Sequence, residues 1–505
     1  MSSDAGNEHA YGSLLPRDEA NLELLANVHP PDWKNPVPKG RYHLVVVGAG
    51  TAGLVTAAVA GSLGAKVALV ERHLMGGDCL NVGCVPSKAV IAAAKHARLA
   101  GGATEEAFAD AMQRMRRIRA RISHEDSASR YTREFGVDVF LGEARFSGPD
   151  RVLVAGAELA FRRAVIATGA RASAPPVPGL AGAGFRTNET IFELTRRPAR
   201  LAVIGGGPIG CELAQAFQRL GVRVHLLEAG EHVLEREDAD AAEIVQRALA
   251  RDGVDLVLGC RIEQVERQGA ELQLRVKRGD GRTELLLVDE LLVAAGRAPN
   301  VEGLGLEAAG VAFDVKRGVQ VDDRLRTTNR RIYAAGDVCM VWKFTHAADA
   351  AAKLVVQNAL FGGRRKLSAL VMPWCTYTEP EIAHVGLYER EARERGIELD
   401  SYVTPMAKVN RAATDGEEEG FVKVHVRRGT DRIVGATLVG SHAGELLTPV
   451  TLAITTGAGL GAFGNLIYPY PTLAEGLKAT AGAYTRTRLT PALKRLFGLW
   501  FRLTA

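Results

Sequence analysis

Apolar positions first fall into a readable pattern at Tyr42, where LVVVGAG is a continuous apolar run ending in glycines. A short run of that kind, closed by a glycine turn, predicts a strand covered on both faces. An alanine-rich stretch and a second apolar run, KVALVE, follow, so the pattern predicts a strand–helix–strand unit. The same order recurs as LAVIGGG, a helical segment from Pro208 to Leu220, and RVHLLE. In both copies the leading glycine and the closing acid, Gly48 with Glu71 and Gly205 with Glu228, have the same separation. Two nucleotide-binding folds are therefore expected.

Between the copies the pattern predicts a long Ala/Arg-rich helical region over about 87–131 and short strands leading to AVIATGA. After the second copy, LLVAAGRAPN and IYAAGDV each read as an apolar strand ending in small residues. From about 369 alternating strands such as FVKVHV and RIVGATLVG, mixed with helical stretches, predict a separate α+β domain. Residues 1–40 are polar and punctuated by prolines, which predicts an extended arm. The last stretch, 489–505, places Leu493, Leu496, Phe497 and Trp500 on one helical face with Lys494, Arg495 and Arg502 opposite. Such a helix docks on the protein's own dimer or lies on a membrane surface.

Composition narrows this picture only a little. At 505 residues the chain is long enough for several cores, and 47% hydrophobic with 24% charged residues describes an ordinary globular protein. The formal charge of +5 comes without a long basic run, so no nucleic-acid partner is expected. Six cysteines in such a chain are not a secreted disulfide framework, and Cys211, Cys260, Cys339 and Cys375 stand alone. With no charged-then-apolar leader and no run able to cross a bilayer, a cytoplasmic, thiol-reducing location is expected.

The chemistry lies in three places. Gly48, Gly50 and Gly53 in GAGTAG sit between a strand and a helix, where glycine allows a tight turn and backbone N–H groups can approach a pyrophosphate, while Glu71 can hold ribose hydroxyls. Gly205, Gly207 and Gly210 in GGGPIG repeat the device with Glu228. A 2′-phosphate calls for Arg or Lys at this point, yet LLEAGEHVLERED is mainly acidic, which favours NADH over NADPH; Arg223 and Arg236 keep NADPH open. In GGDCLNVGCVPSK, Cys79 and Cys84 precede a helix starting near Pro86, whose positive end stabilises a thiolate. Two such cysteines serve as a redox pair, as zinc ligands or as inert neighbours; without a second Cys or His pair no metal site is expected. Lys88, one turn on, is placed to pair with Glu212.

The order GAGTAG, GGDCLNVGCVPSK, ATG, GGGPIGCE, GRAPN, AAGD resembles the class I pyridine nucleotide–disulfide oxidoreductases over about residues 42–485. The resemblance implies two Rossmann-like nucleotide-binding domains, for FAD (41–190 and 297–368) and NAD(P) (191–296), and a C-terminal α+β dimerisation domain (369–488) of a homodimer with an active site shared between subunits. It implies that Gly48, Gly50, Gly53 and Glu71 bind FAD and that Thr168 and Gly169 lie at a crossover between domains. Gly296, Gly336 and Asp337 join the cofactor site, Asp337 at the ribityl and pyrophosphate region. Lys88 and Glu212 stand beside the flavin ring. Cys84 is the charge-transfer thiolate and Cys79 the outer thiol that attacks the acceptor.

One departure bears on the acceptor. Disulfide reductases of this family carry a His-Pro-x-x-x-Glu stretch whose His is the acid–base group; here YPYPTLAEGLK places Tyr470 at that position, with Pro471 and Glu475 kept. A phenol, with an ordinary pKa near 10, is a poor proton shuttle at neutral pH. The tyrosine followed by EGLK is more similar to the mercuric-reductase branch, whose C-terminal vicinal cysteines and N-terminal CxxC domain are not expected here, since the chain ends FRLTA. Cys375 is read as a small buried hydrophobe. The expected function is electron transfer from NAD(P)H through FAD and Cys79–Cys84 to a thiol, disulfide or thiophilic metal acceptor. The alternatives are dihydrolipoamide dehydrogenase and, in another class, a membrane- or scaffold-docked electron-transfer partner.

Overall fold

The computed structural model describes residues 14–101 and 103–504, which fall into two compact units, Met1–Ala229 with Gly253–Leu370 and Gly230–Asp252 with Val371–Ala505. In the first unit the apolar run Tyr42–Val47 is the central strand of a parallel sheet, flanked by Val67–Glu71 and Ala157–Ile166. Asp138–Leu141 extends the sheet beyond Val67–Glu71, and Ile332–Ala334, from far along the chain, pairs with Ala157–Ile166. Val45, Val47, Phe140, Phe161, Ile166 and Ile332 pack into one core, and Leu44 and Val46, on the opposite face of the central strand, are fully buried too, so that strand is covered on both faces. The second strand–helix–strand copy builds its own parallel sheet, in the order Asp255–Val257, Arg223–Leu227, Arg200–Ile204, Glu290–Val293. An antiparallel trio, Arg261–Gln268, Glu271–Lys277 and Thr283–Val288, packs on it through Val265, Leu272, Leu274 and Val276.

The second unit is a five-stranded antiparallel sheet, Pro373–Thr376, Glu381–Gly386, Ile433–Gly440, Phe421–Arg427 and Leu399–Pro405 in spatial order, with helices Ala443–Thr456 and Glu475–Arg488 on its core. The α/β class with two Rossmann-like folds and a C-terminal α+β domain is the observed architecture.

Three features differ from the sequence expectation. The N-terminal arm is not simply extended: residues 1–13 lie outside the described residues, but Glu19–Val28 is a helix capped by Asp18, whose side chain accepts from the Asn21 N–H at 2.9 Å. Its buried residues, Asn21, Leu24, Leu25 and Val28, recur at helical spacing, a signal overshadowed by the prolines that follow. A second is the stretch Gly230–Asp252, inside the bounds 191–296 expected for the second nucleotide-binding domain, whose helix Ala239–Arg251 falls in one compact unit with the C-terminal sheet. Glu237 explains the attachment, accepting hydrogen bonds from Trp374 Nε1 at 2.9 Å and from the Tyr388 hydroxyl, while Lys423 pairs with Asp238 at 3.2 Å and Asp240 at 2.6 Å. The helical region expected over 87–131 is interrupted, as Cys84–Leu99, Glu105–Ser123 and Ala128–Phe135.

Candidate active site

The two glycine loops are built alike. Gly48 and Gly205 turn at positive φ (+102° and +108°), which an L side chain disfavours. A Cβ on Gly53 would lie 1.8 Å from the Gly48 carbonyl oxygen, and one on Gly210 would lie 1.9 Å from that of Gly205, so each third glycine lets its helix close on its loop. Gly50 and Gly207 are the N-cap residues of Thr51–Ser62 and Pro208–Arg219, and no side chain caps either helix. Both helices thus present backbone N–H groups and the positive end of a dipole, which suits a phosphate. Space is open around Gly207.

Each closing acid reaches back to its loop. Glu71 accepts from the N–H of Ala49 at 2.7 Å and of His73 at 2.8 Å, and Glu228 accepts from the N–H of Gly206. A carboxylate has further lone pairs for ribose hydroxyls after such contacts. Desolvation raises the Glu71 pKa, against the lowering effect of those N–H donors. Thr168 and Gly169 meet the GRAPN segment: Thr168 Oγ1 donates to the Asn300 carbonyl at 2.7 Å, Asn300 N to the Gly169 carbonyl at 3.0 Å, and Asn300 Nδ2 to the Thr168 carbonyl at 2.9 Å. Gly336 lies against the first helix, 3.2 Å separating its would-be Cβ from that of Ala52. The Gly296 carbonyl accepts from Ser173 N at 3.1 Å.

Cys79 sits half-buried in the short helix Gly77–Asn81, and Cys84 opens Cys84–Leu99 with its side chain exposed. Both are free thiols in hydrogen-bonding contact. The bond from Cys79 is the main reason the Cys84 thiol is pulled down to about 6; the partial desolvation of its sulfur, which remains open at the surface, and the Glu212 carboxylate oppose this, while the Thr345 hydroxyl and Lys88 aid it. Giving that bond, together with burial, pushes the Cys79 thiol up. The start of a helix adds a positive field to the Cys84 sulfur. Lys88 Nζ is 2.7 Å from Glu212 Oε2, and Glu212 is buried.

Three contributors were not visible in the sequence. Thr345, first residue of Thr345–Phe361, places Oγ1 3.3 Å from Cys84 Sγ. Arg297, the arginine of GRAPN, pairs with Asp78 beside Cys79 and lies 3.4 Å from Asp337 Oδ2; its buried Nε makes no hydrogen bond. Burial raises the Asp337 pKa, with Arg297 acting against it. Arg119, buried in Glu105–Ser123, donates to the Asn81 carbonyl at 2.7 Å and to Asn21 Oδ1 at 2.6 Å, joining the N-terminal helix to the loop between the cysteines. Met75 N donates to the Val28 carbonyl at 3.2 Å, a second tie from that helix, to the segment just before the cysteines. None of these has a local signature, since each partner lies far away along the chain.

In the other unit Tyr470 is 71% exposed, and its hydroxyl accepts from Asn410 Nδ2 at 3.0 Å. Glu475 opens Glu475–Arg488 and accepts from the Thr472 N–H at 3.5 Å, a contact within its own turn. Cys375 is half-buried against the core of its sheet, its Sγ 3.8 Å from Glu381 Oε2. Among the described residues no three His, Cys, Asp or Glu converge on a metal-sized site, and no helix is long and apolar enough to cross a membrane.

Comparison with known proteins agrees with this geometry. Residues 42–352 match the family "Pyridine nucleotide-disulphide oxidoreductase" and residues 372–481 its dimerisation domain. The mercuric reductase of Staphylococcus aureus is 36% identical over 450 residues, 88% of this chain and 82% of that protein. The dihydrolipoyl dehydrogenase of Thermus scotoductus is also 36% identical, over 459 residues, 88% of this chain and 97% of that protein. Among solved structures, the HOCl-induced flavoprotein disulfide reductase RclA of Escherichia coli superposes with a TM-score of 0.80 at 29% identity, covering 87% of this chain and 99% of that one.

Proposed function

Because this chain belongs to the class I pyridine nucleotide–disulfide oxidoreductases, in their mercuric-reductase-like branch, an FAD- and NAD(P)H-using family with a dimerisation domain, we propose that it uses NADH to reduce a thiophilic acceptor through a Cys79–Cys84 dithiol. The observation that carries this reading is Cys84 at a helix start, hydrogen-bonded by Cys79 and Thr345 and close to the Lys88–Glu212 pair.

The uncapped helix at Gly50 and the Arg297 Nε are donors, and the Glu71 carboxylate beside Ala49 is an acceptor, in a set that fits FAD: Gly48, Gly50 and Gly53 would face its pyrophosphate, Glu71 its ribose, and Asp337 and Gly336 its ribityl end. Gly205, Gly207, Gly210 and Glu228 repeat the set for the nicotinamide nucleotide. FAD, when bound, relays two electrons from the reduced nicotinamide to the disulfide. On the protein side, two electrons and one proton break the Cys79–Cys84 bond to leave the Cys84 thiolate and the Cys79 thiol. Lys88, held by Glu212, and the helix dipole favour the charge on Cys84.

The acceptor step falls to Cys79, with Tyr470 and Glu475 of the other protomer at the family's acid–base position. With a disulfide, Cys79 forms a mixed disulfide and expels a thiolate that needs a proton; Cys84 then re-forms the internal bond and releases the second thiol. With a divalent metal held by two thiolates, the Cys79–Cys84 dithiol gives up two electrons and re-forms its disulfide, the metal is reduced to its elemental state, and its two ligands leave as one thiolate and one thiol that takes the Cys79 proton, so no outside acid is needed. Tyr470 supports the second course, since a phenol is a poor proton donor beside imidazole. The E. coli reductase RclA is known as a Cu(II) complex, which also supports a metal acceptor.

NADH is preferred because the acid Glu228 follows the strand Arg223–Leu227, whereas the exposed Arg223 begins it, roughly five residues or 16 Å away. A competing reading, dihydrolipoamide dehydrogenase, is favoured by the Thermus relative. An acceptor screen with the purified flavoprotein and NADH, covering lipoamide, glutathione disulfide and metal–thiol complexes, separates the two. Fast lipoamide turnover at neutral pH would replace the proposed function with the dehydrogenase.

A further inference from the structure

The helix Pro491–Thr504 buries none of its residues. Leu496, Phe497, Leu499, Trp500, Phe501 and Leu503 are each between 43% and 76% exposed, a concentration of large apolar side chains that an isolated surface helix does not need. At 100° per residue, Lys494, Arg495 and Arg502 fall within an arc of about 100°, and the apolar side chains take most of the remaining circumference. From Gly476 to Thr504 every charged side chain is a cation: Lys478, Arg486, Arg488, Lys494, Arg495 and Arg502. The helix start is defined, with Leu493 N donating to Thr490 Oγ1 at 3.3 Å and Lys494 N to the Thr490 carbonyl at 3.0 Å.

We propose that Pro491–Thr504 docks this enzyme in the plane of an anionic lipid surface, its Phe and Trp side chains among the acyl chains and its cations at the headgroups. At 14 residues the helix is about 21 Å long, well short of the roughly 30 Å of a hydrocarbon core, so it lies in the interface and does not span it. The wide apolar arc favours lipid over a second copy of the chain. A helix packed on protein needs a stripe near 100°, while an interfacial helix immerses a broader face. The uniform charge points the same way, because a two-fold contact would bring the same cations to both sides, whereas a negative surface attracts all of them.

The test uses the full-length flavoprotein with vesicles of phosphatidylcholine alone or with phosphatidylglycerol, read by co-sedimentation and Trp fluorescence. Binding is expected to the anionic vesicles at least tenfold more tightly than to the neutral ones, and to weaken at high salt. Lys494→Glu, Arg495→Glu and Arg502→Glu together should weaken it on the order of a hundredfold, about fivefold per cation. Leu496→Asp with Trp500→Asp should abolish it, with turnover unchanged in both variants because the helix carries none of the redox groups. Wild-type protein that ignores anionic vesicles at low salt, or binds both kinds equally, overturns the proposal without recourse to a variant. So does a change of oligomeric state by light scattering in the Leu496→Asp/Trp500→Asp protein, which would show that a second copy covers the face.

Discussion

The cysteine pair and Tyr470 carry the two ends of the proposed electron path, and they are built in opposite ways. Cys84 is held by Cys79 and Thr345 next to a charged pair with a buried member, with the loop between the cysteines tied down by Arg119. Tyr470 projects into solvent with a single hydrogen bond, from Asn410, and the neighbouring Glu475 is engaged with its own turn. Within its own unit the reducing end is preorganised, and the acceptor end is not. Preorganisation matters where charge must be stabilised, here as a thiolate on Cys84. A phenol in place of imidazole matches a reaction that draws little on proton transfer.

The largest effect expected from breaking this contrast is at Cys84. Cys84→Ser should reduce turnover with every acceptor to background, a loss beyond the roughly 10²–10⁴ of acid–base assistance alone. The long-wavelength absorbance of a thiolate against oxidised flavin should vanish in that variant and should be present in Cys79→Ser without any reductant. Retention of the band in Cys84→Ser would reverse the two roles.

Next in size is Tyr470→His. Installing imidazole should raise turnover with lipoamide and glutathione disulfide toward the lower part of the roughly 10²–10⁴ range, because Glu475 must leave the Thr472 N–H to orient the ring. Stopped-flow reduction of the variant by NADH should match the wild type, since that half of the reaction is complete without this residue. Unchanged disulfide turnover in Tyr470→His would show that position 470 does not limit the acceptor step.

Cofactor choice is a smaller effect. Glu228 should favour NADH over NADPH by about tenfold in kcat/KM, equivalent to about 1.4 kcal/mol. Steady-state rates with both nucleotides decide it, and a preference for NADPH would point to a cation reaching the ribose from outside the Arg223–Leu227 strand.

The smallest is in pH. With the Cys84 thiol at about 6, its thiolate should be present above that pH and be lost as the pH falls through it; at pH 7 roughly nine-tenths is ionised. Lys88→Met removes a charge that favours the thiolate, so the titration midpoint should move upward by up to about one unit. A titration of the thiolate absorbance measures both, and a midpoint unmoved in Lys88→Met would leave the Cys79 and Thr345 hydrogen bonds as the main support.

Much of this was legible locally. The glycine turns, their closing acids and the cysteine spacing could be placed from the chain, because strand sterics, helix starts and positive-φ turns are properties of a few consecutive residues. The N-terminal helix was partly legible, since Asn21, Leu24, Leu25 and Val28 keep helical spacing, but proline-rich sequence beside it suggested an arm. The attachment of Ala239–Arg251 to the C-terminal sheet was not legible, for it rests on Glu237 meeting Trp374 and Tyr388.

The sequence by itself determined the class of fold, the two glycine loops, the cysteine pair and the tyrosine on which the proposed function rests. Only the tertiary structure decided how that pair is tuned. Thr345 on Cys84, Arg297 between Asp78 and Asp337, and Arg119 from Asn21 to Asn81 are contacts between segments far apart in sequence. Local periodicity reports which face of an element is buried, whereas the partner a buried polar group finds depends on how distant elements pack.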